Sequence, residues 1–198
     1  MGAIFNHDIK HYIDKYKLKY YIETGTGMGG CLDFCRNFNF EKCISIEIHD
    51  EIYKIAKEKF KDDSKCELHH GNSYEVLKNI LKNVNDSSLF FLDAHFPGAD
   101  FGYADYSTEK NMDTRLPLQK ELEVIFSEYK FFTSSVFIID DLRIYEDDNY
   151  TDGNWKDRVT LGGENINFVF DTFNHTHIIQ KDLRYQGFFI IEPNHFLL

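Results

Sequence analysis

Four short apolar runs in this chain each end on a carboxylate, and that repeated ending constrains the fold more than any other feature. Tyr20-Tyr21-Ile22 runs into Glu23, Cys43-Ile44-Ser45-Ile46 into Glu47, Ser88 to Leu92 into Asp93, and Val136-Phe137-Ile138-Ile139 into Asp140-Asp141. Runs this short and this continuously apolar read as strands buried on both faces. The stretches between them carry helical spacing. A helix is expected over 29–38, and another is capped by Asp50 with Ile52, Ala56 and Phe60 on one face. A third is capped by Ser73 with Tyr74, Leu77 and Leu81 in register, and a fourth over 116–129 has Leu118, Leu122 and Ile125 on its buried stripe. Cys66 to His69 supplies one further short strand. Strands alternating with helical crossovers predict a mostly parallel sheet with helices on both faces, and its polar strand ends then share one edge, where such sheets gather ligands. Near the end of the chain, a helix over 166–173 and strands over 176–180 and 187–191 predict an antiparallel addition at the sheet edge.

The 198 residues suit a single domain spanning 1–198, and 42% hydrophobic with 28% charged residues is a folded composition. The net charge of -11, with no long Lys/Arg run, argues against nucleic acid and against an anionic membrane as partners. No run approaches the roughly 20 apolar residues that span a bilayer. The first residues have no secretory pattern, and Asn6 stands where an acylation signal needs Ser or Thr, so a cytoplasmic location is expected. Cys31, Cys35, Cys43 and Cys66 lack the paired spacing of a zinc ribbon and are expected to be reduced packing residues.

The densest local signal is Glu23-Thr24-Gly25-Thr26-Gly27-Met28-Gly29-Gly30, placed between a strand and a helix. Glycines there permit a tight turn and close approach of a cofactor. Gly25, Gly27 and Gly30 fit a dinucleotide fingerprint, and Glu47 follows about twenty residues on, where a carboxylate can accept two ribose hydroxyls. Spacing alone admits NAD.

In these residues the chain resembles the class I S-adenosylmethionine-dependent methyltransferase family, and the resemblance covers most of its length. It implies a three-layer, Rossmann-like α/β fold with a C-terminal antiparallel strand. It also implies that Glu23, Gly25, Gly27 and Gly29 surround the methionine part of S-adenosyl-L-methionine and that Glu47 holds the ribose. Gly71-Asn72-Ser73 resembles the family's adenine-edge segment, which assigns Asn72 and Ser73 there; a plain strand-to-helix turn explains the same tripeptide. The leading Glu23 favours this family over an NAD enzyme, because a carboxylate can accept from the cofactor's amino group but sits poorly beside a pyrophosphate.

Asp93-Ala94-His95 and Asp140-Asp141 follow two expected strands and can converge beside the cofactor. This arrangement resembles a metal-dependent branch of small-molecule and sugar O-methyltransferases, which implies Asp93, Asp140 and Asp141 as ligands of Mg2+, Asp93 also as a cofactor-binding and catalytic residue that fixes the acceptor beside the sulfonium, and His95 as catalytic base. The chain has His95 where that branch often has a second acid, and a substrate-binding or structural role for His95 stays open. Residues 96–103, including Tyr103, form a candidate acceptor loop. Residues 105–115 form a lid or an ordinary connection. Arg115 and Arg143 are candidates for binding an anionic group or for pairing with the excess acid. A second aromatic, acidic loop from Tyr145 to Trp155 could cover an acceptor or form a homo-oligomer contact. The resulting expectation is methyl transfer to a hydroxyl of a small polar metabolite, a sugar or sugar-nucleotide. The competing readings are a non-enzymatic ligand-binding or assembly module and an NAD-dependent oxidoreductase.

Overall fold

Seven strands form one sheet: β1 Tyr20–Thr24, β2 Lys42–Glu47, β3 Cys66–His70, β4 Ser88–Leu92, β5 Val136–Ile139, β6 His177–Asp182 and β7 Phe188–Pro193. The computed structural model describes residues 3–163 and 165–194. The strand order is β3-β2-β1-β4-β5-β7-β6. The first five strands pair in parallel, and β7 is antiparallel to both β5 and β6. The expected antiparallel addition at the sheet edge is therefore present, with β7 joined to β5 and β6 forming the margin. The side-chain pattern gives the reason. Phe188-Phe189-Ile190-Ile191 is buried throughout, as an interior strand must be, whereas β6 exposes Ile178 and Gln180 and half-buries Ile179, Lys181 and Asp182, as a margin strand can.

Helices cover both faces of the sheet. One layer is α1 Ile9–Tyr16, α2 Gly30–Cys35 and α3 Asp50–Lys59, packed against Tyr21, Cys43, Leu89, Phe91, Val136 and Ile138. The other is α4 Ser73–Ile80, α6 Leu118–Glu128 and α7 Asn167–Phe173, packed against Ile22, Ile44, Phe90, Phe137 and Ile139, with the short α5 Met112–Arg115 leading into α6. Successive strand residues alternate between these two cores, as period-two geometry requires. Phe90 and Phe137 stack at 4.8 Å in the second core.

Several sequence expectations shift at element ends. Asn72 and His49, not Ser73 and Asp50, hold the cap positions of α4 and α3, and neither makes a side-chain cap bond. The helix expected over 29–38 is confined to Gly30–Cys35. Helix α1 was not expected at all, although Asp8 accepts from His11 N–H at 3.0 Å as its cap and Ile9, Tyr12 and Ile13 are buried at helical spacing. All four cysteines are free, with Cys35 and Cys43 buried. No described helix is long and apolar enough to cross a membrane.

Candidate active site

The carboxyl ends of β1, β2, β4 and β5 open onto one cavity of about 540 Å³, within the size range of small-molecule sites. Its first wall is the turn after β1. Gly25, Gly27 and Gly29 all take positive φ, at 81°, 52° and 70°. A Cβ on Gly25 would lie 2.7 Å from the Asp93 backbone oxygen, so the glycine lets β1's turn rest directly on the end of β4. Glu47 joins this turn to β2: its Oε2 accepts from Gly27 N–H at 3.0 Å and its Oε1 from His49 N–H at 2.8 Å. Burial raises the Glu47 pKa, and these amides oppose the rise.

Gly25, Gly27, Glu47, Asn72 and Ser73 line the cavity, and Asn72 Nδ2 donates to Thr114 Oγ1 at 3.1 Å. Gly29 and Glu23 do not line it. Gly29 turns the chain, donating N–H to Thr26 O at 2.9 Å and leaving room for the Phe60 ring. Glu23 lies beneath the turn, 1% exposed, and accepts from Tyr21 Oη at 2.5 Å and Ser45 Oγ at 2.6 Å, with Ser45 in turn 2.5 Å from Thr26 Oγ1. The sequence places Glu23 against a ligand; the structure places it under the loop, which it supports through Ser45 and Thr26. Glu23 pairs with Ser45 and Phe91, one step on the same face before Glu47 and Asp93 reach the cavity, so its carboxylate lies a layer below the turn.

The second wall is a compact charged cluster. His95 Nε2 lies 2.9 Å from Asp141 Oδ2 and 3.4 Å from Asp93 Oδ1, and one ligand atom from each of the three lies within 4.8 Å of the others. Asp140 is outside this group. Its Oδ1 accepts from Asp141 N–H at 2.7 Å and its Oδ2 is buried without a partner. The structure groups Asp93 and Asp141 with His95, and not with Asp140 as the sequence leads one to expect, because the adjacent Asp140 and Asp141 side chains diverge. Asp141 itself sits in the left-handed region at φ 55°, a conformation aspartate tolerates better than most residues.

Burial pulls the His95 pKa down, but Asp141 and Asp93 outweigh it and hold it well above the ordinary histidine value. Burial raises Asp93 to about 6, against the lowering effect of His95. In this arrangement the imidazole lies between two carboxylates, and the cluster favours a positive charge there. Two carboxylates and an imidazole fit a divalent cation, and the nitrogen donor suits a first-row ion such as Mn2+ better than Mg2+, which favours oxygen ligands.

Beyond the cluster, Phe96, Tyr106 and Trp155 pack edge-to-face at 5.1–5.3 Å and line the same cavity. Arg143 also lines it, its Nε 3.8 Å from Asp141 Oδ1. Two expected acceptor contacts lie elsewhere. Tyr103 packs against His49 with the rings tilted and their centroids 4.8 Å apart, half-exposed and outside the cavity. Arg115 is buried and donates to the Glu109 carbonyl from Nε at 2.6 Å and again from Nη2, and to the Leu161 carbonyl from Nη1 at 3.1 Å. Its guanidinium ties 109–115 to the turn at Leu161 and leaves no donor fork for an anion. Arg115→Met should therefore lower stability by about 1–3 kcal/mol through unsatisfied carbonyls, measured by urea unfolding. The acceptor KM should stay unchanged; a selective rise in KM would return Arg115 to the binding site.

The sequence reading missed Glu121. This α6 carboxylate is fully buried, neither oxygen has a hydrogen-bond partner, and it faces Ser73 and Thr24 behind the cavity. Burial pushes it to about 7 and Glu23 to about 8, with the Ser45 and Tyr21 hydroxyls opposing the rise at Glu23. Its signal in sequence was an acid among the apolar positions of α6, beside Leu118, Leu122 and Ile125. Both folded-state values exceed those of unfolded glutamate, so the folded chain binds the extra protons and loses stability as pH rises from about 4.5 through 7–8. Unfolding free energy should fall between pH 5 and 8.5, and Glu23→Gln with Glu121→Gln should flatten that slope; an unchanged slope in the double variant would contradict the assignment.

No family model and no curated protein matches this chain. Solved structures do. An SAH-bound methyltransferase from Podospora anserina is 15% identical, with 93% of this chain and 75% of that chain covered at a TM-score of 0.55. An O-methyltransferase from Bacillus cereus in complex with SAH is 13% identical, with 93% and 78% covered at 0.56. An rRNA methylase from Streptococcus thermophilus is 10% identical, with 92% of each chain covered at 0.51. With the strand order above, these likenesses establish a class I S-adenosylmethionine-dependent methyltransferase fold, Rossmann-like, with a mostly parallel sheet.

Proposed function

We propose that the protein transfers a methyl group from S-adenosyl-L-methionine to a hydroxyl of a small, polar, uncharged acceptor such as a sugar. The observation that carries this reading is the continuity of the cavity, which has the glycine turn, Glu47 and Asn72 at one end and Asp93, His95 and Asp141 at the other. Two of the solved structures with this fold hold SAH, and one is an O-methyltransferase. The cradle left by Gly25 and Gly27 suits the cofactor's methionine end, and Glu47 would hold the ribose, accepting its hydroxyls beside the two amides it already binds. Asn72 and Ser73 would border the base.

The acceptor end favours oxygen chemistry. Asp93, His95 and Asp141 would hold a divalent ion, which when bound lowers the pKa of a hydroxyl beside it. Asp93 and Asp141 orient the acceptor, and Asp93 takes the hydroxyl proton as the oxygen bonds to the methyl carbon and the carbon–sulfur bond breaks to leave SAH. The edge-to-face rings of Tyr106 and Trp155 shield the reacting oxygen from water. Arg143 is the one cation besides His95 among the described lining residues, and Glu47, Asp93, Asp100 and Asp141 line the same cavity. That balance disfavours the diphosphate of a sugar-nucleotide and selects the neutral member of the expected pair. The acidic surface likewise disfavours an RNA acceptor, despite the likeness to an rRNA methylase.

Calorimetry tests the cofactor half of this reading. S-adenosylmethionine and S-adenosylhomocysteine should bind saturably and NAD should not; the reverse preference would move the protein to the oxidoreductase reading. No binding of any of these would favour a non-enzymatic module.

A further inference from the structure

We propose that Asp100 is a positioning residue that accepts the Nδ1 proton of His95 and so fixes the imidazole with Nε2 aimed between Asp93 and Asp141. The inference rests on the reading of His95 as a working member of the reaction centre. On its Nε2 side the ring is engaged by both aspartates. On its other side Nδ1 is buried without a hydrogen-bond partner, and Asp100 Oδ2 lies 3.6 Å away as its facing carboxylate oxygen. That spacing is too long for a hydrogen bond but closes with a movement of under about 1 Å.

The other half of Asp100 is already held. Tyr106 donates its hydroxyl to Asp100 Oδ1 at 2.7 Å, which leaves Oδ2 turned to the imidazole, and Tyr106 is wedged against Phe96 and Trp155. Asp100 rides on the short 3-10 turn Ala99–Phe101, whose flanking Gly98 and Gly102 both take left-handed φ, at 76° and 74°. Backbone bonds from Ala99 N–H to Phe96 O and from Tyr103 N–H to Gly98 O fix that turn over His95. The same turn carries Phe101, whose ring edges the space a Cβ on Gly27 would fill, so one short segment touches both halves of the cavity. An imidazole held at only one nitrogen can rock about its Cβ–Cγ bond; a carboxylate on the second nitrogen fixes the tautomer and the ring plane together.

The test uses 15N-histidine-labelled full-length protein in chelated, metal-free buffer, with the His95 resonances assigned through His95→Gln. The wild type should show an exchange-protected Nδ1–H proton on His95. Asp100→Ala should lose it and Asp100→Asn, which keeps an acceptor oxygen, should retain it. A Nδ1–H signal that survives in Asp100→Ala, or that is missing in the wild type, overturns the proposal. In a parallel titration with Mn2+ alone, followed by electron paramagnetic resonance, Asp100→Ala should weaken binding by about 10–100-fold and Asp100→Asn should restore most of it. Wild-type protein that binds no Mn2+ would remove the ion from the proposed function, and the imidazole spectra would still decide the role of Asp100.

Discussion

Asp141→Asn should lower the rate of methyl transfer by about 10³-fold while leaving the affinity for S-adenosylhomocysteine within a few-fold of wild type. The substitution is chosen for what it preserves. Asparagine accepts the left-handed backbone at φ 55° that position 141 requires, so the turn after β5 should keep its shape. What is lost is the negative charge 2.9 Å from His95 Nε2. Without it the cluster holds a cation less well, and neither the acceptor nor the imidazole is placed beside two carboxylates. The cofactor end, built on Glu47 and the glycine turn, shares no hydrogen bond with Asp141. Rates measured at saturating cofactor, with calorimetry on the same preparation, separate the two ends. A variant that loses cofactor binding and rate in parallel would mean that Asp141 shapes the whole cavity and not the reaction centre.

Gly25→Ala should act at the opposite end. The left-handed backbone at φ 81° alone costs an alanine about 1–2 kcal/mol. The added methyl would also meet the Asp93 backbone oxygen at 2.7 Å and its carbonyl carbon at 3.0 Å. A side chain could swing aside, but a strand-end carbonyl cannot, so the turn must lift off β4. Affinity for S-adenosylhomocysteine should fall at least about tenfold, and urea unfolding should show the lost stability. Gly153→Ala is the matched control: its φ is 78° and nothing lies within 4 Å of the added carbon, so it should show the backbone cost with unchanged affinity. Equal loss of affinity in both variants would contradict the close approach at Gly25.

What the sequence revealed of this arrangement follows from the range of the forces involved. Strands β1, β2, β4 and β5 were legible because burial on both faces demands uninterrupted apolar residues, and the carboxylates at their ends break that pattern where the sheet meets solvent. The pairing of Glu47 with the glycine turn was legible because it is set by a fixed distance along one strand-helix-strand unit. Side-chain direction was not. Glu23 lies one step short of the strand end at which Glu47 and Asp93 reach the cavity, and Asp140 turns its Oδ1 to the Asp141 amide. The long-range partners of Arg115 were equally invisible, since the Leu161 carbonyl reaches it only through the folding of a loop far along the chain. Trp155, Tyr106 and Phe96 meet for the same reason, and no local pattern in the sequence announces that they share a wall.

The central claim, one cavity that joins a methyl donor to a hydroxyl acceptor, is tested most directly by supplying S-adenosylmethionine with an isotopically labelled methyl group. The protein and a metabolite extract from its source cells are incubated with it, and the products are identified by mass spectrometry. The label should appear on an oxygen of a small neutral polar molecule, and it should fail to appear with Asp141→Asn under the same conditions. Label found on RNA or on nitrogen, or undiminished transfer by Asp141→Asn, would contradict the account.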